Sequence, residues 1–130
     1  MIVKPRIKGF VCITSHPLGC MASVKQKVEI AQANVIEKDN SPKRVLVIGA
    51  STGYGLSSRI AAAHSAGADT LGVYFERPPK TNKPASAGYY NSLAFHKLCE
   101  MGSTKHLDVN GDAFSQACKI EVLERAKELG

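Results

Sequence analysis

Three glycines, Gly49, Gly53 and Gly55, separate the short apolar run RVLVI (44–48) from an alanine-rich stretch that begins at Leu56. A turn of that kind can receive a diphosphate. The diphosphate must reach main-chain N–H groups at the start of a helix, and side chains on the turn would stand in its way. Unpaired N–H groups and the helix dipole then favour its negative charge. Ser51 and Thr52 add hydroxyls that can cap the helix or donate to phosphate. A bare glycine spacing is weak, and a purely structural strand–helix turn competes with it. The flanking strand and helix patterns supply the context a dinucleotide motif requires.

Glu76 follows the last of those glycines by about 20 positions, at the end of the next expected strand. An acidic residue there accepts hydrogen bonds from the adenosine ribose and repels a 2′-phosphate, selecting NAD over NADP. Arg77 is adjacent and able to receive such a phosphate, so the preference points to NAD without being settled. A third feature is Asn110-Gly111-Asp112-Ala113-Phe114, after the third strand of the series. Asp112 there can either bond the adenine amino group or cap the final helix.

Cys12, His16 and Cys20 are evenly spaced, which raises a metal reading. A structural zinc takes four ligands, commonly from close-set pairs, and no fourth lies nearby. No metal is therefore expected. Cys12, Cys20, Cys99 and Cys118 read as reduced, mostly buried thiols.

The elements that must carry these residues follow from periodicity. Residues 7–14 alternate and suit a strand. His16 to Gly19 reads as a turn, and Ala22 to Glu37 as a helix with Val24, Val28, Ala31 and Val35 on one face. Asp39-Asn40-Ser41-Pro42 breaks the chain. RVLVI fits a strand buried on both faces. Leu56 to Ala66 reads as a helix stopped by Gly67, Thr70 to Phe75 as a strand, and Pro78 to Ala85 as a loop. Tyr89 to Met101 reads as a helix with Leu93, Leu98 and Met101 on one side. Lys105 to Val109 reads as a strand, and Ala113 to Leu129 as a final helix carrying Phe114, Cys118, Val122 and Ala126.

The βαβαβα order from Arg44 onward predicts an α/β fold, a Rossmann-like parallel sheet with flanking helices. Residues 1–42 form a short N-terminal extension of strand, turn and helix. Residues 43–130 form a partial NAD-binding Rossmann domain, the N-terminal half only, because a complete dinucleotide site is built from two βαβαβ halves.

The bulk properties narrow the setting. The 130 residues are 44% hydrophobic and 22% charged, with a formal net charge of +6. Lys and Arg are scattered, without the clustered footprint of a nucleic-acid binder, so none is expected as a partner. No apolar run approaches the ~20 residues of a membrane span, and the N-terminus lacks a signal peptide's apolar stretch, so a cytoplasmic location is expected.

MIVKPRIKGF at the start, the turn SHPLGC, KRVLVIGASTGYGL, AGADTLGVYFE and NGDAF together resemble the N-terminal part of the trans-2-enoyl reductases, the V-type enoyl-acyl-carrier-protein reductases and the related trans-2-enoyl-CoA reductases. The resemblance runs from Met1 to about Phe114 and continues more loosely to the end. It implies an NADH-dependent reduction of the trans-2 double bond of an enoyl thioester, on acyl carrier protein or coenzyme A, in fatty acid biosynthesis. Members are longer than this chain and work as monomers. The resemblance carries the cofactor contacts onto Gly49, Ala50, Ser51, Thr52, Gly53, Tyr54, Phe75, Glu76, Asp112 and Ala113, and so favours adenine binding for Asp112.

The family's catalytic pair is a tyrosine followed, after eight intervening residues, by a lysine. Tyr74 and Lys83 have that spacing, but one falls in a strand and the other in a proline-rich loop, so the pair is rejected. Tyr89 and Tyr90 read as packing beside the cofactor loop. No catalytic residue is assigned, and the chain alone, read as a truncated cofactor half with exposed apolar strand edges, is expected to be inactive and prone to aggregate. A stand-alone NAD-binding module and another short-chain dehydrogenase are the alternatives.

Overall fold

In the computed structural model, residues 2–37 and 40–130 are described. Met1 of the opening motif and Asp39 of the expected break lie outside them. The chain begins with a two-residue hairpin, β1 (Ile7–Lys8) and β2 (Val11–Cys12), paired antiparallel, where a single strand was expected over 7–14. Gly9, at φ +63°, makes the reversal that a continuous strand would not permit.

Helix α1 (Pro17–Gln32) starts five residues before the predicted Ala22, so His16 to Gly19 is a helix start and not a free turn. Pro17 is pre-set for the first helical position, where its missing N–H costs nothing. The Nδ1 of His16 accepts from the Leu18 N–H at 3.2 Å and caps the helix. The helix ends at Gln32, short of the predicted Glu37, where Asn34 Nδ2 donates to the Ile30 carbonyl at 2.8 Å. Val35 is consequently exposed.

The sheet is parallel, in the order β3 (Arg44–Ile48), β4 (Asp69–Tyr74), β5 (His106–Asn110). Leu46 pairs in register with Leu71, and Leu71 with Leu107. Between the strands run α2 (Gly53–His64) and α3 (Ala87–Cys99), and α4 (Gln116–Leu129) follows β5. This is the predicted Rossmann-like α/β order.

Strand alternation divides the sheet into two unlike faces. Leu71, Val73, Leu107 and Val109 point toward Cys118, Val122 and Leu129 of α4 and form an apolar layer. Thr70, Gly72, His106 and Asp108 point the other way, toward Arg59 of α2. Beyond that polar layer α1 packs on α2 and α3, and Val24, Val28 and Ala31 share one core with Leu56, Ile60, Ala63, Ala94 and Phe95.

Two expected buried faces differ from the structure. β3 is an edge strand, not one covered on both sides: Leu46 is 51% and Ile48 66% exposed, because α4 covers only β4 and β5. In α3 the buried face is Gly88, Ser92, Ala94, Phe95 and Cys99, whereas Leu93 and Met101 are exposed. There α3 meets a polar sheet face and the slender α1, so small residues and one ring fit where a leucine stripe was expected. Likewise Phe114 precedes α4 and is exposed.

The cysteines are free, but only Cys99 and Cys118 are buried; Cys12 is exposed and Cys20 half-buried, so "mostly buried" does not describe them. Among the described residues no group of three or more His, Cys, Asp or Glu side chains comes together as a metal site, and no helix is long and apolar enough to cross a membrane.

Candidate functional site

The three strands end side by side, and each hands over to a loop bearing expected contact residues: Gly49 to Tyr54 after β3, Phe75 and Glu76 after β4, Asp112 and Ala113 after β5. The structure thus brings all ten candidates to the carboxyl edge of one parallel sheet, where ligands of such sheets bind.

The glycines of the turn have separable reasons. Gly49 has φ +81° and Gly53 φ +53°, conformations that strain any other residue. Gly55 has ordinary φ, but a Cβ there would run into the carbonyl of Gly49. Nothing lies within 4 Å of a Cβ built at Gly49 or Gly53, so the main chain at these two glycines is open to an approaching group, while Ala50 and Ser51 between them are buried. The turn itself is fastened: the N–H groups of Gly49 and Ala50 both donate to the Val73 carbonyl, at 2.8 and 3.0 Å. Thr52 is the N-cap residue of α2, and its hydroxyl makes no capping bond, leaving it free at the mouth of the turn. Tyr54, in the first turn of α2, and Phe75, after β4, are exposed aromatics.

Ser51 behaves differently from the expectation that it caps the helix or meets phosphate. It is buried, and its Oγ donates to Glu76 Oε1 at 2.6 Å. The glycine turn and the acidic strand end are therefore directly bonded. Glu76 is held from a second side by Asn110, whose Oδ1 accepts from the Glu76 N–H at 2.9 Å and whose Nδ2 donates to the Glu76 carbonyl at 3.1 Å. Arg77 is tied through its main chain to Ser86, the N-cap residue of α3, and its guanidinium is exposed. Asp112 Oδ1 accepts from the Phe114 N–H at 2.9 Å, and Ser115, not Asp112, caps α4 through the Cys118 N–H. The second oxygen of Asp112 remains for a ligand. Ala113 lines an apolar groove of about 270 Å³ with Ile48, Val73, Val122 and Leu123.

Three residues of this arrangement carried no assignment in the sequence. Asn91 of α3 donates from Nδ2 to the Ser51 carbonyl at 3.0 Å, and Gly88 packs against both Ser51 and Glu76. Arg59, inside the alanine-rich α2, is fully buried: it donates to Thr70 Oγ1 and the Leu107 carbonyl, forms an ion pair with Asp108, and lies 4.3 Å from the Phe95 ring centre. Its one sequence signal is a long cation on a helical face otherwise filled by Leu56, Ile60 and Ala63.

The rejected pair is a structural pair of strangers. The Tyr74 hydroxyl donates to Asp108 Oδ2 at 2.7 Å, and burial, with Asp108 beside it, pushes its pKa far up. Lys83 sits exposed in the loop bridge with Lys80. Tyr89 and Tyr90 pack edge to face, and the Tyr90 hydroxyl accepts from the Ala85 N–H, pinning the proline-rich loop.

Residues 2–81 match the family described as the NAD(P)H binding domain of trans-2-enoyl-CoA reductase. The chain belongs to that family. Residues 83–130 match its companion, the trans-2-enoyl-CoA reductase catalytic region. The enoyl-[acyl-carrier-protein] reductase [NADH] of Yersinia enterocolitica is 53% identical over 98% of this chain, and that of Pseudomonas aeruginosa 52% over 98%. The chain spans 32% of the length of each. Among solved structures, the Treponema denticola trans-2-enoyl-CoA reductase in complex with NAD superposes with a TM-score of 0.92 at 40% identity, over 100% of this chain and 34% of that one. The trans-2-enoyl-CoA reductase of Clostridium acetobutulicum in complex with NADH gives 0.89 at 30% identity, over 98% and 32%. The fold expected from the strand and helix pattern is thus the fold of the reductase family.

Proposed function

We propose that this chain is the cofactor-binding portion of an NADH-dependent reductase that acts on trans-2-enoyl thioesters, carried by acyl carrier protein or coenzyme A, in fatty acid biosynthesis. The observation that carries the reading is the open space beside Gly49 and Gly53 at the start of α2, on a turn bonded through Ser51 to Glu76. The relatives' names agree with it in cofactor and substrate class.

The residues present fit a dinucleotide. The N–H groups opening α2 meet its diphosphate, with Thr52 able to donate and Tyr54 and Phe75 shielding the flanks. Glu76 accepts from the adenosine ribose, and Asp112 with Ala113 meets adenine. When bound, NADH supplies the hydride that reduces the double bond. This chain's share of the work is to bind and orient it.

A cytoplasmic location and a monomeric whole enzyme belong to this reading. The test is titration of NADH into the purified chain, followed by nucleotide fluorescence. Saturable binding is expected, and it should vanish in Gly53→Val; a chain that binds no NADH overturns the reading.

A further inference from the structure

Glu76 is held at its main chain and at one carboxylate oxygen. Its main chain is held by the two Asn110 bonds, and its Oε1 by Ser51. The third wall is Gly88, in the first turn of α3. A Cβ built there would collide with Glu76 Oε1 and stand 2.7 Å from Ser51 Cβ. The start of α3 is fastened to the strand end by the Ser86 N–H to the Arg77 carbonyl at 3.1 Å and the Arg77 N–H to Ser86 Oγ at 3.0 Å. The Ser51 main chain is fastened to α3 by Asn91 at 3.0 Å. Side-chain bulk at position 88 must therefore displace the Glu76 carboxylate, the flexible end it meets first, and press on Ser51 Cβ as well.

We infer that Gly88 is a positioning residue for cofactor selectivity: by carrying no side chain it lets the Glu76 carboxylate fold back onto Ser51, leaving Oε2 toward the ribose. This rests on the proposed NADH-binding function. A carboxylate committed through one oxygen keeps the other as an acceptor for ribose hydroxyls, and its charge stays where a 2′-phosphate would sit. Displaced, it loses both effects together.

The experiment compares NADH and NADPH affinities of the purified chain and of Gly88→Ala. The wild type should prefer NADH, and Gly88→Ala should lower that preference by roughly tenfold, the scale of losing a hydrogen bond to a charged group. Ser51→Ala, which removes the bond without adding bulk, should shift the ratio in the same direction. Adding Glu76→Asp to Gly88→Ala shortens the carboxylate past the clash and should restore part of the preference. A wild type that binds no NADH overturns the functional reading. A wild type that prefers NADH, with a ratio unchanged in both single variants, overturns the role of Gly88 alone. A collapsed ratio that Glu76→Asp does not improve also overturns it, since the helix and not the carboxylate would then have moved.

Discussion

Arg59 Nη1 lies 2.6 Å from Asp108 Oδ1, joining the helix that opens at the glycine turn to the far strand of the sheet. The guanidinium occupies space that Gly72 leaves empty: a Cβ at position 72 would lie 2.6 Å from Arg59 Cζ. Asp108 answers with both oxygens, since His96 Nε2 stands 2.6 Å from Oδ2 and Tyr74 donates to the same atom. Burial works against the Asp108 carboxylate, but His96, Arg59 and Tyr74 together hold its pKa below the ordinary value. Removing one member of a buried pair strands the other. Asp108→Ala is therefore expected to destabilise the chain by about 3–5 kcal/mol, read from urea denaturation. A cost no larger than that of an exposed ion pair would remove the clamp from the account.

Gly53→Val and Gly55→Ala should fail by different routes. At Gly53 the cost is backbone strain at φ +53°, on the order of 1–3 kcal/mol, with bulk placed at the mouth of the turn. At Gly55 the cost is collision with Gly49. Both are expected to abolish NADH binding. Gly53→Val should leave the circular dichroism of the folded chain in place, while Gly55→Ala should reshape the turn and lower the unfolding temperature.

Glu76→Ala should weaken NADH binding and release Ser51 from its partner. The expected loss is roughly tenfold in affinity, with NADPH gaining relative to NADH. Unchanged affinity for NADH, measured by fluorescence titration, would falsify the ribose assignment.

Acid should weaken the fold before its carboxylates titrate. Burial, with Arg59 nearby, lowers His106 from 6.5 to about 4. Between those values the unfolded chain takes up a proton that the folded chain refuses, so stability falls as pH falls through that window. The expected loss is on the order of 2 kcal/mol. The Asp108 contribution is present above the ordinary carboxylate value and is lost as pH falls through its depressed one, so it persists throughout. Urea midpoints at pH 7, 5.5 and 4.5 measure the slope; His106→Asn should flatten it.

The chain is expected to bind NADH without oxidising it when crotonyl-CoA is added. Tyr74 is bonded to Asp108 and its proton is held tightly by burial, which leaves it unfit as a donor. Turnover in a spectrophotometric assay at 340 nm, the usual NADH band, would contradict the assignment of no catalytic residue; a flat trace agrees with it.

The order of strands and helices from Arg44 onward, the glycine turn and the acidic residue after the next strand were legible in the residues, whereas the opening hairpin was not. Each is a local matter: apolar period, positive φ, or the distance along one β–α–β unit. Partnerships between distant positions were not legible. Ser51 reaches Glu76 across 25 positions and Arg59 reaches Leu107 across 48. Leu93 looked like core by its type, yet it is exposed, because which face of α3 is covered depends on where α1 and the sheet lie. Gly88 carried no assignment in the sequence, and only the approach of two other chain segments makes its missing Cβ matter. Spacing along the chain set the backbone that meets a ligand; packing in three dimensions decided which side chains hold that backbone still, since close contact between remote segments leaves no periodic mark in either one.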